Sequence, residues 1–271
     1  GAGFLGKELV GELISRGITR LLVMSRNEGQ LIALKESYPQ VDILPGDISD
    51  PFICDKACAQ VDGIFHLAAM KHVGLAEEHV TECVKSNIMG TMNLLEGTRK
   101  YKHDFIIGIS TDKAAKVNGV YGATKFIAEK LFVEYEKMNP ATKYRTVRYG
   151  NVLYSTGSVL CKWKDRLQAG LPITATDADS TRFYWSVEDA VSLIFDCIDK
   201  STDATPHITR MRSIRLGDLL DAMIEKYAKG DVEVNWIGLQ PGENVHEVVA
   251  DGLPDSSQAE RYTKDEILEI I

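Results

Sequence analysis

Short apolar runs alternate along the chain with stretches whose apolar positions recur every three to four residues. The runs are ITRLLVMS at 18–25, VDILPGD at 41–47, VDGIFHLAA at 61–69, DFIIGIST at 104–111 and YRTVRYGNV at 144–152. Runs of this length, bounded by turn residues, suit strands covered on both faces. LGKELVGELISRG at 5–17 and FIAEKLFVEYEKM at 126–138 have helical spacing, and the second helix is predicted to begin near Val120. Alternating strands and helices predict an α/β fold with a doubly wound parallel sheet and right-handed crossovers. The expected division is a sheet domain over 1–151 plus about 185–208, and a smaller C-terminal lobe over about 152–184 plus 209–271. Residues past Asp251 are polar, then weakly helical, and carry no readable chemistry.

Composition narrows the partners. A net charge of -8 excludes a broad basic surface, so no nucleic acid and no anionic membrane is expected as the main partner. No apolar run approaches the roughly 20 residues of a membrane span, and no signal-like segment opens the sequence, so the expected location is cytoplasmic. Cys54, Cys58, Cys83, Cys161 and Cys197 are odd in number and lie in helical or apolar contexts, which predicts reduced thiols. Their spacing matches no zinc site, so no metal is expected.

GAGFLG at 1–6 has the form of a glycine-rich turn opening a helix, where the backbone can approach a pyrophosphate and helix N–H groups face the anion. Such a turn normally follows a strand, so the expectation is that roughly ten more residues precede Gly1 in the natural chain, testable by intact mass. After the second run, Ser25 and Arg26 stand where an acidic residue would meet a ribose 2'-hydroxyl. A guanidinium there favours a 2'-phosphate, hence NADP over NAD, against the alternative of a solvated strand-end arginine. Asp47 could accept from an adenine amino group, or belong to an acidic cluster capping the helix from Asp50.

The densest chemistry is STDKAAKVNGVYGATK at 110–125. Tyr121 and Lys125 are at i and i+4 of one helix and project from one face. A phenol near pKa 10 is a poor base at neutral pH, and a neighbouring ammonium favours its phenolate. Asp112 and Lys113 add an adjacent acid and base, with a loop ion pair or a cap as the plain alternative. His66, inside an apolar run, reads as a hydrogen-bonded core histidine.

Taken together, the glycine-rich turn, FHLAAMKHV, SNIMGTMNLL, STDKAA, YGATK, VRYGNV, TRFYWSVEDAV and PGENVHE resemble the extended short-chain dehydrogenase/reductase superfamily. Within it they most resemble the inverting UDP-N-acetylglucosamine 4,6-dehydratases, from Gly1 to about Val249. The resemblance implies a Rossmann-type sheet binding NADP, a substrate-binding C-terminal lobe, a UDP-sugar substrate and a homodimer or larger homo-oligomer. It assigns deprotonation of the sugar 4-hydroxyl to Tyr121 with Lys125, a hydrogen bond to the 4-oxygen to Thr111, the C5 base to Lys113, and protonation of the departing 6-hydroxyl to Asp112. A lysine can act as that base only if its environment lowers its pKa.

By the same resemblance, Gly3, Phe4, Leu5, Gly6, Ser25, Arg26, Asp47, Ile48, Ala68, Ala69, Lys71, Asn87, Tyr121, Lys125 and Tyr149 contact the cofactor. Met70, Lys71, His72, Asn151, Ser158, Val159, Arg182, Gln240 and Glu243 contact the substrate. Lys71 has a snorkelling surface role as its alternative, and Asn87 a buried capping amide. Three departures stand out: Tyr154 and Thr156 replace the family's glycine and arginine, Cys161 replaces a proline, and Gln240 an arginine. The lost cations weaken phosphate neutralisation. Three readings follow: the dehydratase, a UDP-sugar 4-epimerase, which needs no elimination groups, and an NADP-binding sensor without turnover.

Overall fold

The computed structural model describes residues 1–271. Its strands are β1 (Leu22–Ser25), β2 (Asp42–Pro45), β3 (Gly63–His66), β4 (Phe105–Thr111), β5 (Lys143–Tyr149), β6 (Asn151–Val152), β7 (Ile173–Ala175), β8 (Thr181–Trp185), β9 (Pro206–His207), β10 (Ser213–Arg215) and β11 (Val234–Trp236). Its helices are α1 (Phe4–Ser15), α2 (Glu28–Ser37), α3 (Pro51–Cys58), α4 (Val73–Glu78), α5 (Val80–Val84), α6 (Gly90–Lys100), α7 (Val120–Met138), α8 (Val159–Gln168), α9 (Val187–Lys200), α10 (Leu216–Tyr227) and α11 (Lys264–Ile270). None is long and apolar enough to cross a membrane.

The strands predicted by pattern pair in parallel as two ladders, β1-β2 and β3-β4-β5, the second extended by the unpredicted β9, with no pairing between β1 and β3. Period-two alternation sorts the side chains of β4 and β5 onto opposite faces. Ile106 and Tyr144 pack with Phe132 and Leu95 under α6 and α7, whereas Ile107 and Val147 pack with Leu193 and Ile194 of α9. Helices on both faces make the fold doubly wound, as expected for a Rossmann-type α/β protein. Gly108 belongs to this packing: a β-carbon there would lie 2.6 Å from the Phe132 ring.

A second apolar cluster joins α8, α10 and α11 through Leu160, Trp163, Leu219, Met223, Ile267 and Ile271. β8 pairs antiparallel with β10 and parallel with β6, and β11 runs parallel to β7. The C-terminal stretch, weakly helical by sequence, is fixed by a capping box between Thr263 and Glu266 and by burial of Ile267. The helical stretch that starts at Val73 is not continuous. It ends at His79, resumes as α5 and passes through a π turn at Lys85–Met89 before α6. Such turns occur mostly at functional positions, and this one holds Asn87.

The C-terminal ends of β1, β3, β4 and β5 present Ser25, His66, Thr111 and Tyr149 along one edge of the parallel sheets. In open α/β sheets, ligands bind at that edge.

Candidate active site

Thr111 ends β4, and a single 3-10 turn, Asp112–Ala114, follows it. The Thr111 hydroxyl donates to Asp112 Oδ1 at 3.0 Å. α7 begins six residues after that turn and approaches it closely because of Gly122, where a β-carbon would lie 2.4 Å from the Lys113 carbonyl oxygen. Its N-terminus is capped from another element, Glu77 Oε1 accepting from the Val120 N–H at 2.6 Å. Tyr121 and Lys113 therefore line one cleft, with Val73, Asn118, Gly119, Gly122, Gly242 and Asn244.

Tyr121 and Lys125 share a face of α7, as their spacing predicts. Burial pushes the Tyr121 phenol up to about 12, opposed by the Lys113 ammonium and a hydrogen bond with Thr111. Burial pulls Lys125 down to about 8, partly offset by Glu129 one turn further along. Glu129 is locked in turn by Arg148 of β5, at 3.0 Å from Nε and 2.6 Å from Nη2, and by the Ser110 hydroxyl. His66 is a core histidine as predicted. Its Nε2 meets the Thr91 hydroxyl at 2.9 Å, and burial holds it neutral, with its pKa down at about 3.

Lys113 is where the structure departs from the requirement set by sequence. Its ammonium lies 3.1 Å from Asp112 Oδ1 and 3.2 Å from Glu247 Oε1, and both carboxylates are buried. Burial works against the charge, but the two carboxylates outweigh it, so the pKa is raised rather than lowered. The ion pair considered as the plain alternative therefore exists, yet it is buried in the cleft rather than solvated in a loop. Burial pushes Asp112 up, with Glu247 adding to it and Lys113 opposing. Asp112 Oδ2 is buried without a hydrogen-bond partner.

Asn87 brings two elements together. Its Oδ1 accepts from the Met70 N–H at 2.7 Å, and its Nδ2 donates to the Met70 carbonyl and to Thr124 Oγ1, each at 3.0 Å. The segment after β3, with Ala68, Ala69, Met70 and Lys71, is thereby tied to the helix bearing Tyr121. His72 packs on Gly157, where a β-carbon would lie 2.8 Å from its ring, which joins this segment to the loop before α8. Asn151 is in β6, Ser158 caps α8 by accepting from the Cys161 N–H, and Val159 is its first residue. Tyr154, at the family's glycine position, has φ +51°, in the left-handed region that glycine favours.

Arg182 is buried and committed internally, donating to the Thr181 and Val245 carbonyls at 2.9 and 3.0 Å and standing 3.7 Å from Glu247 Oε1. Glu243 and Gln240 form a tight turn in which the Glu243 carboxylate accepts from the Gln240 N–H at 3.0 Å. The Glu243 carbonyl accepts from Asn118 Nδ2 at 2.8 Å and so brings this turn to the cleft. Sequence reasoning missed Glu247, Glu129, Arg148 and Glu77. Glu247 lies in the quoted PGENVHE, where attention fell on Glu243.

On the cofactor side, α1 starts at Gly3 with no side-chain cap and with open space where a β-carbon would be, so its first-turn N–H groups can meet an anion. Phe4 and Leu5 lie in that first turn, and Gly6 is forced by close approach of the Gly1 carbonyl. Ser25 Oγ accepts from the Asn27 N–H at 3.2 Å, and Arg26 reaches Asp47 at 3.4 Å. Asp47 accepts from the Ser49 N–H and hydroxyl, while Asp50 caps α3, so the capping role considered for this acidic cluster falls to Asp50. Ile48 is buried in the sheet core. Tyr149 is buried near Tyr121, both burial and Tyr121 raising its pKa. These features suit a dinucleotide along the strand ends. No three His, Cys, Asp or Glu side chains converge as metal ligands.

A family profile described as "Polysaccharide biosynthesis protein" matches residues 1–269. An uncharacterized membrane protein, MJ1061, of Methanocaldococcus jannaschii is 36% identical over 257 residues, covering 91% of this chain and 77% of that protein. The UDP-N-acetylglucosamine 4,6-dehydratase (inverting) of Campylobacter jejuni is 32% identical over 257 residues, covering 92% of this chain and 75% of that one. The X-ray structure of Pen from Bacillus thuringiensis has a TM-score of 0.94 at 28% identity, covering 100% of this chain and 94% of that one.

Proposed function

The chain belongs to the polysaccharide biosynthesis protein family, enzymes of the short-chain dehydrogenase/reductase superfamily, and from that premise we propose that it is an NADP-dependent 4,6-dehydratase of UDP-N-acetylglucosamine that inverts C5. The observation that carries the reading is the buried Thr111, Asp112 and Lys113 turn set against Tyr121 in one cleft. Oxidising an alcohol requires only a phenol and its ammonium. An added buried acid and base are what an elimination requires.

The first turn of α1 and the strand ends would hold NADP, which when bound would supply a hydride acceptor for C4 and a hydride donor for C6. Tyr121 takes the O4 proton, its phenolate favoured by Lys125 and Lys113. With C4 a ketone, the C5 proton is acidic and Lys113 must accept it as a free amine. The resting ion pair can reach that form internally. A proton moves from Lys113 Nζ to Asp112 over 3.1 Å, leaving an amine and a carboxylic acid with no net uptake from solvent. Lys113 then takes the C5 proton, and Asp112 gives its own to the departing 6-hydroxyl, which leaves as water. Both groups end as they began. Hydride return to C6 leaves C5 in need of a proton from the opposite face, and the Tyr121 phenol, holding the proton taken from O4, would supply it and so return to its starting form. Burial of Asp112, which raises its pKa, favours the proton exchange with Lys113, while the two carboxylates that raise Lys113 oppose it. We further propose that Glu243 faces the nucleotide ribose, and that the enzyme works as a homo-oligomer.

Incubation with UDP-N-acetylglucosamine and NADP, followed by mass spectrometry, tests the reading. Loss of one water supports it. An isomeric product of unchanged mass replaces it with 4-epimerisation, and no reaction replaces it with a cofactor-binding role.

A further inference from the structure

Four charged side chains meet behind the cleft: Asp112 and Lys113 from the end of β4, Arg182 from β8, and Glu247 from the segment after β11. Their side-chain exposures are 0, 15, 10 and 1%, so the group is formally neutral and almost dry. The Glu247 carboxylate is the element common to both cations, its Oε1 lying 3.2 Å from Lys113 and 3.7 Å from Arg182. That oxygen has no aligned hydrogen bond, so the contact is one of charge. Its partner oxygen accepts from Asn244 Nδ2 at 3.2 Å, and its backbone N–H donates to Ser256 Oγ at 2.8 Å, which itself donates to the Thr181 carbonyl. Lys113 and Asn244 present the open edge of this network to the cleft, and Glu247 has no role in the steps above.

We propose that Glu247 is the positioning residue of the elimination chemistry, holding the Lys113 ammonium at the cleft and joining it to Arg182 through one shared carboxylate. This rests on the dehydratase reading for its consequence, though the charge coupling stands without it. When Asp112 takes the proton of Lys113, the amine loses its charge and its hold on both carboxylates. Glu247 opposes that loss and keeps Nζ in place between turnovers. Through Arg182 it also lets a bound anion alter the balance: an anion that drew Arg182 away would leave Glu247 to Lys113 alone. The groups facing Lys113 are Asp112 on its own turn, Tyr121 of α7, Arg182 and Tyr184 of β8, and Glu247. Removing one of its two carboxylates must lower its proton affinity.

The test uses the full chain without ligand. Lysine side-chain carbon resonances are titrated, with Lys113→Arg assigning the signal, in wild type, Glu247→Gln and Glu247→Asp. The expected result is a Lys113 midpoint above its ordinary 10.5 in wild type, lower by about one unit or more in E247Q, and shifted less in E247D. An unchanged midpoint in E247Q, or a larger shift in E247D, overturns the coupling. With UDP-N-acetylglucosamine, E247Q is expected to reduce the cofactor at near the wild-type rate while solvent deuterium enters C5 at least about tenfold more slowly. Equal loss of both steps would mark a scaffold role and overturn the positioning one. If wild type releases no water, the dehydratase reading fails alone, and the titration still decides the role of Glu247. If E247Q does not fold, E247D carries both measurements, with a lowered midpoint and slowed C5 exchange expected and unchanged values overturning the proposal.

Discussion

Two buried lysines, twelve positions apart in sequence, are driven in opposite directions. Lys125 on α7 falls to about 8, while Lys113 on the turn after β4 is raised. Burial lowers both. The difference lies in the carboxylates within reach. Asp112 and Glu247 both close on Lys113, whereas Glu129, the carboxylate nearest Lys125, is largely taken up by Arg148. Burial alone therefore does not predict whether a lysine is poised or pinned; the number of unspent carboxylates does. The helix face carries a lysine that gives up its proton easily, and the turn carries one that, under the proposed mechanism, must first pass its proton to Asp112.

The largest expected effect comes from removing the pinned lysine. Lys113→Ala should cut dehydration by about 10²–10⁴-fold, the usual contribution of a proton-transfer group, while cofactor binding is kept. Water release by mass spectrometry and cofactor binding by calorimetry check the two halves. Undiminished turnover would take Lys113 out of the mechanism.

Stability separates the two lysines by sign. Lys113→Met leaves Asp112 and Glu247 buried without their shared cation and should destabilise the fold by about 3–5 kcal/mol. The contribution of Lys113 is complete below its ordinary 10.5 and is lost only as pH rises through the raised folded value. Lys125→Met should instead stabilise, by up to about 3 kcal/mol at pH 7, because the folded state carries the cost of a pKa lowered from 10.5 to about 8. That cost is full below about pH 8 and is relieved between there and 10.5. Wild-type stability should therefore gain from this group over that window, and the variant should lack the gain. Denaturant unfolding of both variants at pH 7 and pH 9.5 checks the signs; two changes of the same sign would dissolve the contrast.

Much of this site was legible in the sequence, for reasons that differ residue by residue. Tyr121 and Lys125 are set by helix spacing, Asp112 and Lys113 by adjacency, and the α/β fold by alternation. Tyr154 was visible as a departure, and its backbone lies in the left-handed region that glycine favours. The direction of the Lys113 shift was not legible. It depends on Glu247, brought back by the chain 134 positions later, and no local pattern encodes that return. The break at His79 and the π turn at Asn87 were hidden as well, because VTECVKSNIMG keeps helical spacing through both. Polar commitments across the chain, such as Arg182 to Glu247 and Asn118 to the Glu243 carbonyl, need the fold before they can be seen.

Arg26 extends the contrast to a third cation, one that burial scarcely touches. Its side chain is 65% exposed, and its contact with Asp47 spans 3.4 Å. Exposed pairs of this kind contribute about 0–1 kcal/mol, so Arg26 can leave Asp47 at little cost when a stronger anion arrives. A ribose 2'-phosphate offers the charge and the geometry a planar guanidinium matches. Arg26→Ala should thus weaken NADP binding about tenfold, close to 1.4 kcal/mol, and NAD binding about twofold or less. Thermal stability should stay within about 0.5 kcal/mol of wild type. Calorimetric titration with both dinucleotides reads the difference directly. If the two lose affinity equally, the guanidinium does not meet the phosphate, and the proposed preference for NADP loses its support.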